Sequence, residues 1–118
     1  MFIFKNFNNQ FMNIQLVGFD KFSIEIRDQV NKICNRLLDK YKKMFDEKSI
    51  KAFKLSVDKL RERGDHTLFE IKCYLETTHG LFYAVHSDWK VLDAVERVEE
   101  EVLRQIVEKK EKLKGGKK

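Results

Sequence analysis

The run FKLSVDKLRERGDHTLFEIKCYLETTHGLFYAV, Phe53 to Val85, carries the pattern on which the fold turns. Phe53, Leu55 and Val57 alternate with Lys54, Ser56 and Asp58, and Phe69, Ile71, Cys73 and Leu75 alternate with Glu70, Lys72, Tyr74 and Glu76. Successive side chains of a strand point to opposite faces, so each run has one face to bury and one to leave wet. The polar stretch RERGD, Arg61 to Asp65, turns the chain between them. Thr77 to Gly80 make a second turn into LFYAV, short and aromatic enough for a third antiparallel strand.

Upstream, MNIQLVGF (Met12 to Phe19) reads as a strand, with Ile14 and Leu16 on one face and Asn13 and Gln15 on the other. From Ile26, the residues Val30, Ile33, Cys34, Leu37, Leu38 and Tyr41 recur at helical spacing. Ser23 is placed to cap that helix and Glu25 to meet its positive end, so the spacing predicts a helix over about Ile24 to Lys43. Downstream, Val91, Val95, Val98, Val102 and Ile106 predict a second helix over about Trp89 to Leu113, with Asp88 as N-cap and Trp89 anchored in the core. The order β-α-β-β-β-α points to an α+β two-layer sandwich: a four-stranded mixed sheet with both helices on one face and its other face polar. A crossover through the first helix makes the first two strands parallel, and the hairpins make the rest antiparallel.

At 118 residues, with 42% hydrophobic and 36% charged, the chain suits one domain and carries too much charge for a membrane span. We assign 1–11 to an aromatic tail (Phe2, Phe4, Phe7, Phe11), 12–114 to the domain and 115–118 to a disordered basic ending. The tail offers a route to weak self-association, and Met12 is an alternative start. Lys5, Asn6 and Asn8 to Gln10 interrupt the apolar residues that a signal peptide would keep continuous. With that and two isolated cysteines, a reducing, cytoplasmic setting is expected.

The net charge is +5 and the pI near 9.2, which favours an anionic partner. Lys32, Arg36 and Lys40 are spaced four apart on the outer side of the first helix, and Lys43 continues their line. This is a ladder for phosphates, or else a solvated face in which Asp28 and Asp39 pair with Lys32 and Lys43. The second helix runs from acidic to basic, as its dipole favours, but Glu99 to Glu101 lie too far along it for that to explain them.

His66, His79 and His86 have no metal-ligand spacing, so no metal is expected, and Cys34 and Cys73 fall on inward faces as small hydrophobes. No phosphate-cradling glycine loop or nucleophile elbow occurs, and no cofactor is expected. Tyr83 and Trp89 are able to stack on bases.

From Met12 to Lys114 the chain resembles the short ribosome hibernation-promoting factors, which are ribosome-associated translation inhibitors. MNIQLVGF, FSIEIRDQV (Phe22 to Val30), LSVDKL (Leu55 to Leu60) and above all VLRQIVEKKEKLK (Val102 to Lys114) carry the likeness. The resemblance implies the β-α-β-β-β-α fold, no catalysis, and docking in the decoding region of the small ribosomal subunit, where the protein excludes mRNA and tRNA. It also implies contact with 16S-type ribosomal RNA through Lys32, Arg36, Lys40 and Lys43 of the first helix and Arg104 of the second. Glu101 and Glu108 stand where the family carries lysine, so Lys109 and Lys112 are expected to share that work. The lysine-rich ending is expected to be without the further domain through which long forms pair two ribosomes. A stress-linked, cytoplasmic role follows, with no membrane and no small-molecule substrate. A general double-stranded RNA-binding module is the alternative, and a small enzyme using His86 and Asp88 a third reading.

Overall fold

The computed structural model describes residues 2–3 and 13–115. Its elements are β1 (Phe2–Ile3), β2 (Asn13–Val17), α1 (Ile24–Met44), β3 (Ile50–Arg63), β4 (His66–Thr77), β5 (Gly80–Asp88) and α2 (Val91–Gly115). The four expected strands form the expected mixed sheet, with β2 parallel to β3 and the β3–β4 and β4–β5 pairs antiparallel. A strand not expected from the sequence adds to it: Phe2–Ile3 pairs antiparallel with β2, opposite Leu16 and Gln15. The rest of the tail assigned to 1–11, Met12 and residues 116–118 lie outside the described residues.

Both helices cover one sheet face. Phe53, Leu55 and Val57 of β3, Ile71, Cys73 and Leu75 of β4, and Phe82 and Ala84 of β5 are buried beneath them, as the alternation requires. From above, α1 contributes Val30, Ile33, Cys34, Leu37, Leu38 and Tyr41, and α2 contributes Val91, Ala94, Val95, Val98, Val102 and Ile106. The Ser23 hydroxyl accepts the Ile26 N–H at 3.3 Å and starts α1 where its spacing placed it. At the other end, the Lys110 ammonium donates to the Met44 carbonyl at 2.6 Å and lies 5.2 Å from the centre of the Phe45 ring. A cation from α2 thus satisfies one of the orphan carbonyls of α1. Tyr41 is fully buried, stacks on Phe45 at 5.1 Å and shares a 2.6 Å hydrogen bond with the Ser49 hydroxyl.

Two expectations are corrected. The β3–β4 hairpin is longer than its apolar alternation: RER of RERGD is still strand, and the turn is Gly64–Asp65 alone, between the paired Arg63 and His66. Gly64, at φ +63°, supplies the positive φ that a two-residue hairpin turn needs at its first central position. Residues 58–66 are exposed on both faces, so this end of the ladder has no core to cover and shows no apolar period. Trp89 is not a core anchor: it is 43% exposed, edge-on to His66 with ring centres 6.5 Å apart. The chain needs Trp89 and Lys90 to swing out of β5; Asp88 accepts the Lys90 N–H at 2.9 Å, and Val91 takes the buried place.

Gly18 ends β2 at φ +88°, and a Cβ there would stand 2.7 Å from the Val57 carbonyl oxygen, a backbone atom that cannot swing aside. Gly18→Ala is therefore expected to cost more than ~1 kcal/mol, from left-handed strain and that clash together. Urea unfolding reads it; an unchanged midpoint would show that β2 and β3 are not held this closely.

Candidate nucleic-acid interface

The α1 ladder forms on the outer side of its helix, since Lys32, Arg36, Lys40 and Lys43 share a stripe that avoids the buried positions. Lys32, Lys40 and Lys43 are exposed, and among the described residues none has a carboxylate within ion-pair distance. The pairing of Asp28 with Lys32 and of Asp39 with Lys43 does not occur. Lys42, one position before Lys43, reaches Glu47 at 3.8 Å. The lysines therefore project as uncompensated charges.

Arg36 behaves differently. Its Nε and Nη2 donate to the two carboxylate oxygens of Glu99 on α2, both at 2.6 Å. Glu99 is 5% exposed, while half of the Arg36 side chain remains open to solvent. The hydrogen bond to Glu99 is also the leading cause that raises the Arg36 pKa. A two-pronged guanidinium–carboxylate pair is the strong form of a salt bridge, and burial makes it costly to open. Arg36 acts here as a strut between the helices, with Nη1 left for another acceptor. This accounts for Glu99 in mid-helix. Its place between Val95, Val98 and Val102 on the apolar stripe is a sequence signal: a carboxylate there calls for a cation from the neighbouring element.

Arg104 is set apart from the ladder. Its guanidinium is held by Glu101 and Glu108 on its own helix, the latter at 2.6 Å. The hydrogen bond from Arg104, then that from Gln105, holds the Glu101 carboxyl below the usual range, and Glu101 in turn raises Arg104. Gln105 bonds to the Tyr83 backbone of β5, so this side of α2 faces the sheet edge, with Arg104 about 140° around the helix from Glu99. Lys109 and Lys112 also lie on this side, in an open groove of about 750 Å³ against Leu81 and Phe82. A single cationic strip running across both helices is thus not what forms. The seven basic residues divide between the α1 stripe and the β5 side of α2, because the seam between the helices is filled by apolar residues and Glu99.

Among the described residues no group of three or more His, Cys, Asp or Glu is placed to hold a metal, and no helix is long and apolar enough to cross a membrane. Asp88 is occupied with the turn into α2. Burial pushes the Cys73 thiol up to about 12. Burial, then Cys73 and Glu99, drives Cys34 well up too.

Two expectations follow. Arg36→Met leaves the Glu99 charge buried and is expected to cost about 2–3 kcal/mol, and the double variant Arg36→Met/Glu99→Leu to recover part of that loss. Strictly additive losses in urea unfolding would refute the strut. The native thiols are expected to resist iodoacetamide at about pH 8 and to react fully once the chain is unfolded; rapid native labelling would contradict their burial.

At the level of sequence, no family model and no curated protein matches the chain. Solved structures do. A ribosomal subunit interface protein from Coxiella burnetii superposes with a TM-score of 0.56 at 10% identity, over 82% of this chain and 93% of that one. The N-terminal domain of Thermus thermophilus Protein Y superposes with a TM-score of 0.53 at 15% identity, over 85% of this chain and 96% of that one. The chain has the fold of these two proteins along nearly their whole length, in agreement with the resemblance to hibernation-promoting factors carried by its sequence.

Proposed function

We propose that this protein is a ribosome hibernation factor. It binds the small ribosomal subunit in the decoding region through 16S-type ribosomal RNA and inhibits translation by occupying the space of mRNA and tRNA. It acts by steric exclusion rather than catalysis, in the cytoplasm where its target is found. The observation that carries this reading is the row of uncompensated lysines, Lys32, Lys40 and Lys43, on a fold shared with a ribosomal subunit interface protein. Phosphate contacts supply most of the affinity of such surfaces, and lysines without carboxylate partners bring their whole charge to them. Arg36 supports the row from below and adds Nη1. Arg104, Lys109 and Lys112 serve a separate, weaker contact, because Glu101 and Glu108 offset Arg104. A general duplex-RNA module is not favoured, since a structural neighbour that shares this fold over most of its length is a ribosomal subunit interface protein.

Reversing Lys32, Lys40 and Lys43 to glutamate is expected to abolish co-sedimentation with small subunits at low salt. Singly neutralised variants should each lower the slope of log affinity against log salt by about 1. Translation in an extract should be inhibited by the wild type and spared by the triple variant, with mRNA competing for binding. Co-sedimentation unchanged by the triple reversal would overturn this assignment.

A further inference from the structure

The sheet face turned away from the helices carries a row of side chains across four strands: Gln15, Lys54, Tyr74 and Tyr83 stand opposite one another in register. The two tyrosine rings lie 4.6 Å apart at 40° and remain 39% and 37% exposed. Beside them a shallow depression of about 200 Å³ is lined by Gln15, Lys54, Tyr74, Glu76 and Leu81. It offers a ring face, an amide, an ammonium and a carboxylate within one small area, the set that a flat heteroaromatic ring with a polar edge would use. Leu81 also lines the larger groove of Lys109 and Lys112, so the two depressions adjoin across the β5 edge.

That edge is blocked to strand addition at Tyr83. The Gln105 amide accepts the Tyr83 N–H at 3.1 Å and donates to the Tyr83 carbonyl at 2.8 Å, taking both backbone groups that an added strand would need there. Lys72 is drawn to Glu70 at 3.8 Å, which leaves Lys54 as the cation beside the rings.

We propose that this face binds single-stranded RNA, with bases stacked on Tyr74 and Tyr83, their edges met by Gln15 and Glu76, and the backbone held by Lys54 on one side and by Lys109 and Lys112 across β5. The site shares Lys109 and Lys112 with the weaker contact proposed above but none of the α1 lysines that carry that function, so it goes beyond that reading, and reversal of Lys32, Lys40 and Lys43 separates the two. One chain would hold ribosomal phosphates on its helix face and an unpaired strand on its sheet face.

The test is fluorescence anisotropy of the full chain with a labelled, unstructured RNA of about 10 nucleotides, a length within the usual range of single-strand sites. Tyr83→Leu keeps apolar surface but removes the ring and is expected to weaken binding about 5- to 100-fold; Tyr83→Phe should restore it. Lys54→Glu is expected to weaken binding as well, and decides the matter independently if Tyr83→Leu fails to melt cooperatively. The Lys32, Lys40 and Lys43 reversal should leave the dependence on Tyr83 intact, and the Tyr83 variants should still sediment with small subunits. Absence of saturable binding by the wild type, or equal binding by the wild type, Tyr83→Leu and Lys54→Glu, overturns the proposal. So does a Tyr83-dependent dimer in sedimentation without RNA binding, which would give the face to a second copy of the chain.

Discussion

Every inward residue of the central strands must be covered from the same side, and the arrangement of the molecule follows from that demand. Phe53, Leu55, Ile71, Cys73, Leu75 and Phe82 offer one apolar surface, and two amphipathic helices are needed to close it. Placed side by side, α1 and α2 run in the same direction, since Arg36 meets Glu99 and the end of α1 meets Lys110 further along. The seam between them is apolar apart from one carboxylate. Glu99 needs a cation there, and Arg36 supplies it. What remains outside is sorted by the same geometry: an α1 stripe facing solvent, an α2 flank against the β5 edge, and a sheet face that no helix covers.

The chemistry of the two cations explains which of them stay available. Arginine has a planar fork that fits a carboxylate with two parallel bonds, whereas lysine is a strongly hydrated point charge on a flexible stem. Here both arginines of the expected interface, Arg36 and Arg104, are taken by glutamates, while Lys32, Lys40 and Lys43 are left without carboxylate partners among the described residues. The surface is therefore suited to phosphates met as diffuse charge rather than to bidentate recognition. It tolerates acidic residues on the second helix, because Glu99, Glu101 and Glu108 serve arginines of the protein itself.

Identities of 10% and 15% with proteins of the same fold show how little of the sequence such a sandwich demands. Apolar side chains of suitable size at the inward positions can be exchanged for one another while the layers still pack, so identity has room to drift. The exposed positions answer to whatever the chain binds. The α1 lysines and the Tyr74–Tyr83 pair stand out on that ground: neither is needed to fill the core, and each has a face of its own.

Local spacing in the chain was enough for the element order, the capped start of α1 and most of the buried set, because periods of two and of about 3.6 residues are properties of neighbours in sequence, and the element order then gave the parallel pairing of β2 with β3 through the crossover rule. It also placed Lys32, Arg36, Lys40 and Lys43 on one stripe. The extra strand Phe2–Ile3, the exposure of Trp89, the strut from Arg36 to Glu99 and the separation of Arg104 from the α1 ladder were decided only in three dimensions. Each depends on which side of one element meets another, and residues 63 positions apart become hydrogen-bonded only after both helices have settled on the sheet. A charge stripe is a property of one helix, but whether it stays free for a partner depends on the carboxylates that packing brings beside it.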